Sequence, residues 1–81
     1  MKLWLISQTE NDNWDTYDSA VVAAETEEEA KMIDPSGAAD IDWKYKYSSW
    51  ASSPDNVACV NIGEAIEGTL KGVVCASFNA G

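Results

Sequence analysis

Cys59 and Cys75 carry the most reactive side chains in this 81-residue sequence, and their spacing offers them little to do. They lack the Cys-x-x-Cys geometry that lowers a thiol pKa at a helix start. Their residue type predicts small buried hydrophobes. A redox pair is the alternative, available only if the strands that bear them are neighbours. Two cysteines without histidine also fall short of a four-ligand zinc site unless a dimer supplies the rest. Asn11, Asn13 and Asp15 alternate like the first ligands of a calcium loop. The match then fails, because Thr16 stands where the sharp-turn glycine belongs and Val22 where the bidentate glutamate belongs. No metal and no cofactor is expected.

Catalysis by other routes lacks participants. The chain has no histidine to act as general acid or base at neutral pH, and no arginine to clamp phosphate or carboxylate. Ser48, Ser49, Ser52 and Ser53 therefore have no base to activate them. Gly63, Gly68 and Gly72 are spaced as strand ends and turns, not as a phosphate loop. With 14 Asp and Glu side chains, some pair must fall at the roughly 5–10 Å a hydrolase needs, so such a pair means nothing without a cleft. The composition points away from an enzyme.

Binding remains. The formal charge is −9, from 14 carboxylates against five lysines. Such a surface disfavours direct nucleic-acid binding, which needs basic side chains at the phosphates, and disfavours anionic membranes for the same reason. It suits solubility, or a partner whose own surface is basic. Trp14 sits among turn-forming Asn and Asp residues at an apparent loop tip, ringed by Glu10, Asp12, Asp15 and Asp18. Tryptophan is a favoured interface anchor, with packing across a sheet as its competing role. Together with Glu27 and Glu28 at a helix start, Trp14, Glu10, Asp12, Asp15 and Asp18 form the predicted partner-binding set.

The elements that must position these residues are short. Lys2 to Thr9 reads as a strand covered on both sides for part of its length, and residues 11–15 as a hairpin loop. Tyr17 to Glu25 is the second strand. Thr26-Glu27-Glu28-Glu29 is a capping box, with Thr26 as N-cap and Glu29 reaching back to the cap's N–H. Three glutamates in that first turn suit the helix dipole, and a solvated helix start is the preferred reading of them. Ala30, Met32 and Ile33 supply its buried side, and Pro35 stops the helix near Ile33 or Asp34.

Residues 42–51 read two ways. Trp43, Tyr47, Trp50 and Ala51 form a helical stripe, whereas Trp43, Tyr45 and Tyr47 alternate as in a strand. A short helix is the preferred reading. Val57 to Glu64 and Gly72 to Asn79 are the third and fourth strands, joined by a glycine-bearing link that predicts a hairpin. The sum is one domain over residues 1–81, α+β in class: an antiparallel sheet of about four strands in the order ββα then ββ, with one short helix on one face and an aromatic-rich insertion. No apolar run approaches the roughly 18 residues of a membrane span. Polar Ser7-Gln8-Thr9-Glu10 ends the N-terminal apolar patch too early for a signal peptide. A cytosolic protein with reduced thiols is expected.

The blocks Asp15-Thr16-Tyr17-Asp18-Ser19-Ala20-Val21-Val22-Ala23-Ala24 with Glu27-Glu28-Glu29-Ala30, and Gly72-Val73-Val74-Cys75-Ala76-Ser77-Phe78-Asn79-Ala80-Gly81, resemble a family of small uncharacterised phage- and prophage-encoded proteins. They cover somewhat under half of the chain. The resemblance implies a context, a phage accessory protein acting in the cytoplasm of a bacterial host, and carries over no functional residue. Members of that family often have His-Pro where this chain has Asp34-Pro35. With the charge and the poverty in catalytic groups, it leads to the expectation of a non-enzymatic inhibitor. That protein would bind a host protein with a basic surface, such as an anti-CRISPR or anti-restriction target, through an acidic surface that imitates nucleic acid. The alternative is a small phage assembly module, a homodimer joined through sheet edges.

Overall fold

The computed structural model describes residues 1–10, 15–37, 41 and 50–79. Along the chain these form β1 (Lys2–Ser7), β2 (Thr16–Ala24), α1 (Glu27–Met32), a 3-10 turn (Pro54–Asn56), β3 (Ala58–Glu64) and β4 (Gly72–Asn79). The architecture is α+β: one four-stranded antiparallel sheet with a short helix and a 3-10 turn. The expected aromatic-rich insertion at 42–49 lies outside the described residues, as does the hairpin loop at 11–14.

Sheet order is β3-β1-β2-β4, which corrects one expectation. The third and fourth strands do not form a hairpin; they occupy opposite edges. The β1–β2 pair takes the centre, in continuous register from Lys2–Ala24 to Ser7–Ser19. Each central strand then has one free edge, filled by β3 on β1 and by β4 on β2. Residues 65–71 must cross about 14 Å, three strand spacings, which a seven-residue link spans with ease. The crossing starts with Ala65 N–H donating to the Met1 carbonyl at 2.9 Å. It bends where Thr69 N–H donates to the Ile66 carbonyl at 3.1 Å. Gly68 at φ 90° occupies the third position of that turn, where a type II turn requires the left-handed region.

Register divides the sheet into two unlike faces. Trp4 and Ile6 of β1 lie beside Val22 and Ala20 of β2, and this face is closed. Ala30 and Ile33 from the helical segment, with Ile41, Trp50, Ala51 and Val57, complete the core against it. Alanine at 20, 24 and 30 lets the helix approach the sheet closely. The helix begins as its capping residues require: Thr26 Oγ1 accepts from Glu29 N–H at 3.2 Å, and the Glu29 carboxylate takes the Thr26 hydroxyl at 3.5 Å. It stops at Met32, and Asp34 then closes a turn by accepting from Ser36 N–H at 2.9 Å.

The other face carries Leu3, Leu5 and Ser7 of β1 beside Ala23, Val21 and Ser19 of β2. Val60 extends it on β3; Cys75 and Ser77 extend it on β4. Cover of the first strand on this side is partial: Ala23 is fully buried and its partner Leu3 half-buried, whereas Leu5 is 36% exposed while Ile6, one residue on, is fully buried. A six-residue helix covers one face of a sheet of this width, and among the described residues no second layer covers the other.

The two buried tryptophans are held differently. Trp4 Nε1 donates to the Ala24 carbonyl at 3.0 Å inside the core, whereas the buried Trp50 Nε1 has no partner. Each Trp→Phe change removes similar volume, but only at Trp4 does it also remove a hydrogen bond. Urea unfolding should therefore show Trp4→Phe costing about 1 kcal/mol more than Trp50→Phe; equal costs would mean that the Trp4 bond contributes nothing net.

Candidate functional site

The predicted partner-binding residues divide between the two ends of β2. Asp15 stands before its first residue, exposed and at φ 61°, a left-handed conformation that Asp tolerates better than most residues. Its N–H donates to the Asn79 carbonyl at 2.6 Å, fastening the start of β2 to the end of β4. Asp18 is exposed at a register shift between Tyr17 and Ser19, so its side chain leaves the regular alternation. Gln8 spans this irregularity: its N–H donates to the Asp18 carbonyl at 3.1 Å and its side-chain amide to the Tyr17 carbonyl at 2.9 Å. Glu27 and Glu28 are exposed in the first turn of α1, beyond the opposite end of β2. Six residues of strand, Ser19 to Ala24, about 20 Å of rise, separate Asp18 from the helix start. Trp14 and Asp12 lie outside the described residues.

Glu10 is exposed but not idle. Its carboxylate accepts from Ser52 Oγ at 2.5 Å, from Ser52 N–H at 3.1 Å and from Asn56 Nδ2 at 2.9 Å. These bonds tie the exit of β1 to the segment that delivers Trp50, Ala51 and Val57 to the core. The Ser52 hydroxyl and then the Ser52 N–H hold the carboxyl below its ordinary value of 4.5, against an opposing effect of desolvation that outweighs the further lowering by Asn56. Glu10 is thus a structural clamp whose outer lobes still add charge to this end of the molecule.

The cysteines also depart from expectation. Cys59 pairs with Ile6 on the closed face at one sheet edge, and Cys75 pairs with Val21 on the open face near the other. They are not neighbours and cannot form a redox pair without unfolding the sheet. Partial burial, then the charge of Glu27, pushes the Cys59 thiol up, which keeps it protonated and unreactive. Cys75 is exposed, not buried, because it sits on an uncovered face. No group of three or more His, Cys, Asp or Glu side chains among the described residues is placed to hold a metal ion. No described helix is long and apolar enough to cross a membrane.

One surface escaped the sequence reading. The open face holds a shallow depression of about 170 Å³ bordered by Leu5, Ser19, Val21, Cys75 and Ser77. No local signal marked it, because an antiparallel sheet can leave one face to solvent and strand pairing decides which side chains share that face. No protein-family model matches the chain, and no curated protein or solved structure is significantly similar to it.

Glu10→Gln tests the clamp through pH. A carboxyl whose folded pKa lies below its unfolded value of 4.5 contributes its stability above that value and loses it as pH falls through the folded pKa. The variant should melt below the parent near neutrality, and the gap should close as pH falls below 4.5. A gap that stays constant on acidification would assign the loss to shape alone.

Proposed function

We propose that the chain is a non-catalytic phage accessory protein that binds and inhibits a host protein through an acidic surface, with a nucleic-acid-handling complex of the bacterial cell, such as a defence complex, as the class of target. The observation that carries the reading is where the charge lies. Asp15, Asp18, Glu27 and Glu28 are all exposed, as are the neighbouring Glu25 and Asp55. The two ion pairs among described groups are at the limit of contact, Met1 N-terminus to Glu25 at 3.9 Å and Lys71 to Glu29 at 4.0 Å. Pairs within the chain leave its net charge of −9 unchanged, and these exposed carboxylates are open to a basic surface.

The separation of the two acidic groups along β2 supports an extended target better than a point-like one. Carboxylates spread over tens of ångströms match a groove that normally holds a run of phosphates, spaced at about 3.4 Å per strand. Lack of histidine and arginine, together with the raised pKa of Cys59, supports a role that needs no reaction.

The tagged protein and its Asp15→Asn, Asp18→Asn, Glu27→Gln, Glu28→Gln variant should be compared in pull-downs from bacterial lysate, washed at rising salt. A nucleic-acid-handling complex should be captured by the parent, released by salt, and retained at least tenfold less by the variant. Equal capture by the two proteins would remove the acidic surface from the function.

A further inference from the structure

We infer that the crossing between β3 and β4 is an apolar anchor for a basic protein partner. Ile66 and Leu70 enter an apolar pocket of that partner, and lysine or arginine side chains around the pocket meet the glutamates beside the crossing. The inference rests on the proposed reading that the target is basic, and adds the contact that holds it. Exposure is the first support. Ile66 is 84% and Leu70 85% exposed, whereas the large apolar side chains exposed in the strands range from Leu5 at 36% to Val74 at 57%. Strand side chains are partly covered by their cross-strand neighbours. The two on the crossing are left almost wholly in water, so the fold gains little from them. A single exposed apolar residue is ordinary; two at this exposure on one short link form a patch.

The second support is that the crossing is braced. The N–H and the hydroxyl of Thr69 both donate to the Ile66 carbonyl, at 3.1 and 2.6 Å. Ala65 is tied to the Met1 carbonyl at 2.9 Å, and the Lys71 ammonium reaches the Glu29 carboxylate at 4.0 Å. A turn holds its end residues within about 7 Å of each other. One further residue adds about 3.8 Å, so the Leu70 and Ile66 Cα atoms lie at most about 11 Å apart. One pocket can take both side chains, and a backbone already held in place loses little freedom on binding.

Charge sets the kind of partner. The crossing runs past the sheet end where β3 stops at Glu64, β1 starts at Lys2 and β2 gives way to Glu25. Glu67 stands inside the turn, and the Lys71–Glu29 contact brings the first turn of α1, with Glu27 and Glu28, alongside. Glu27, Glu28, Glu64 and Glu67 are exposed, and none of them forms an ion pair among the described residues. Of the cations at this end, Lys71 lies beside Glu29 and the N-terminal amine beside Glu25, leaving Lys2 across from Glu64. An apolar centre with an acidic rim complements an apolar pocket with a basic rim. A second copy would set carboxylates against carboxylates, and an anionic lipid surface would repel the rim.

Two synthetic peptides of equal length and equal lysine content, one with leucines between its lysines and the other with serines, test this by NMR titration into the isotope-labelled whole chain. The lysine–leucine peptide should bind at least tenfold more tightly and shift the amide signals of residues 65–71 most. Ile66→Ser with Leu70→Ser should lower its affinity to that of the lysine–serine peptide and leave the melting temperature unchanged. Equal affinity of the two peptides for the parent would overturn the anchor while leaving the acidic surface standing. So would equal affinity of the parent and the double variant for the lysine–leucine peptide. Failure of both peptides to bind at low salt would remove the anchor and the basic-partner reading together. Self-association of the parent that the same two substitutions abolish would also overturn it, because a second copy would then be the occupant.

Discussion

The β1–β2 pairing is the constraint from which the rest of the molecule follows. Six consecutive residue pairs, without irregularity, fix which side chains share a face. Trp4 and Ile6 meet Val22 and Ala20, and the apolar face so formed is the one on which Ala30 and Ile33 of the helical segment pack. The same pairing leaves one free edge on each strand, so the two later strands are separated. A slip of one residue would send Trp4 and Ile6 to the open side and exchange the two faces. The buried Trp4–Ala24 hydrogen bond opposes that slip, because it joins a β1 side chain to the last residue of β2 across the core.

On the closed face, local preferences and distant contacts agree. The helix is too short to be stable alone, and its caps only decide where it starts and stops. Its persistence rests on Ala30 and Ile33 meeting the alanine-rich stretch of β2. The remaining cover comes from the far side of the sequence, Trp50, Ala51 and Val57, and depends on Glu10 accepting bonds from Ser52 and Asn56. A residue that reads as one charge of an acidic rim thereby acts first as a fastener, and its ionisation is coupled to folding.

How much of this was legible in the sequence follows from the range of each interaction. The strand segments and the helix start were readable, since Thr26 and Glu29, or the run from Lys2 to Ser7, act within a few residues of themselves. Strand order was not. Gly68 and Gly72 signal turns wherever the chain goes next, and nothing local distinguishes a hairpin from a crossing over the sheet end. Cys75 misled for a related reason: its residue type favours burial, but burial depends on a second layer, a property of the whole fold. For the acidic set, exposure of Asp15, Asp18, Glu27 and Glu28 was readable from residue type. The clamp at Glu10 was not, because Ser52 and Asn56 are remote in sequence.

The net charge of −9 makes copies of the chain repel one another, and salt screens that repulsion. On the proposed reading the same exposed carboxylates attract a basic partner, and that attraction is Coulombic over distances comparable to the screening length, so added salt weakens it as well. One excess of charge would thus set both how copies stay apart and how a target is held.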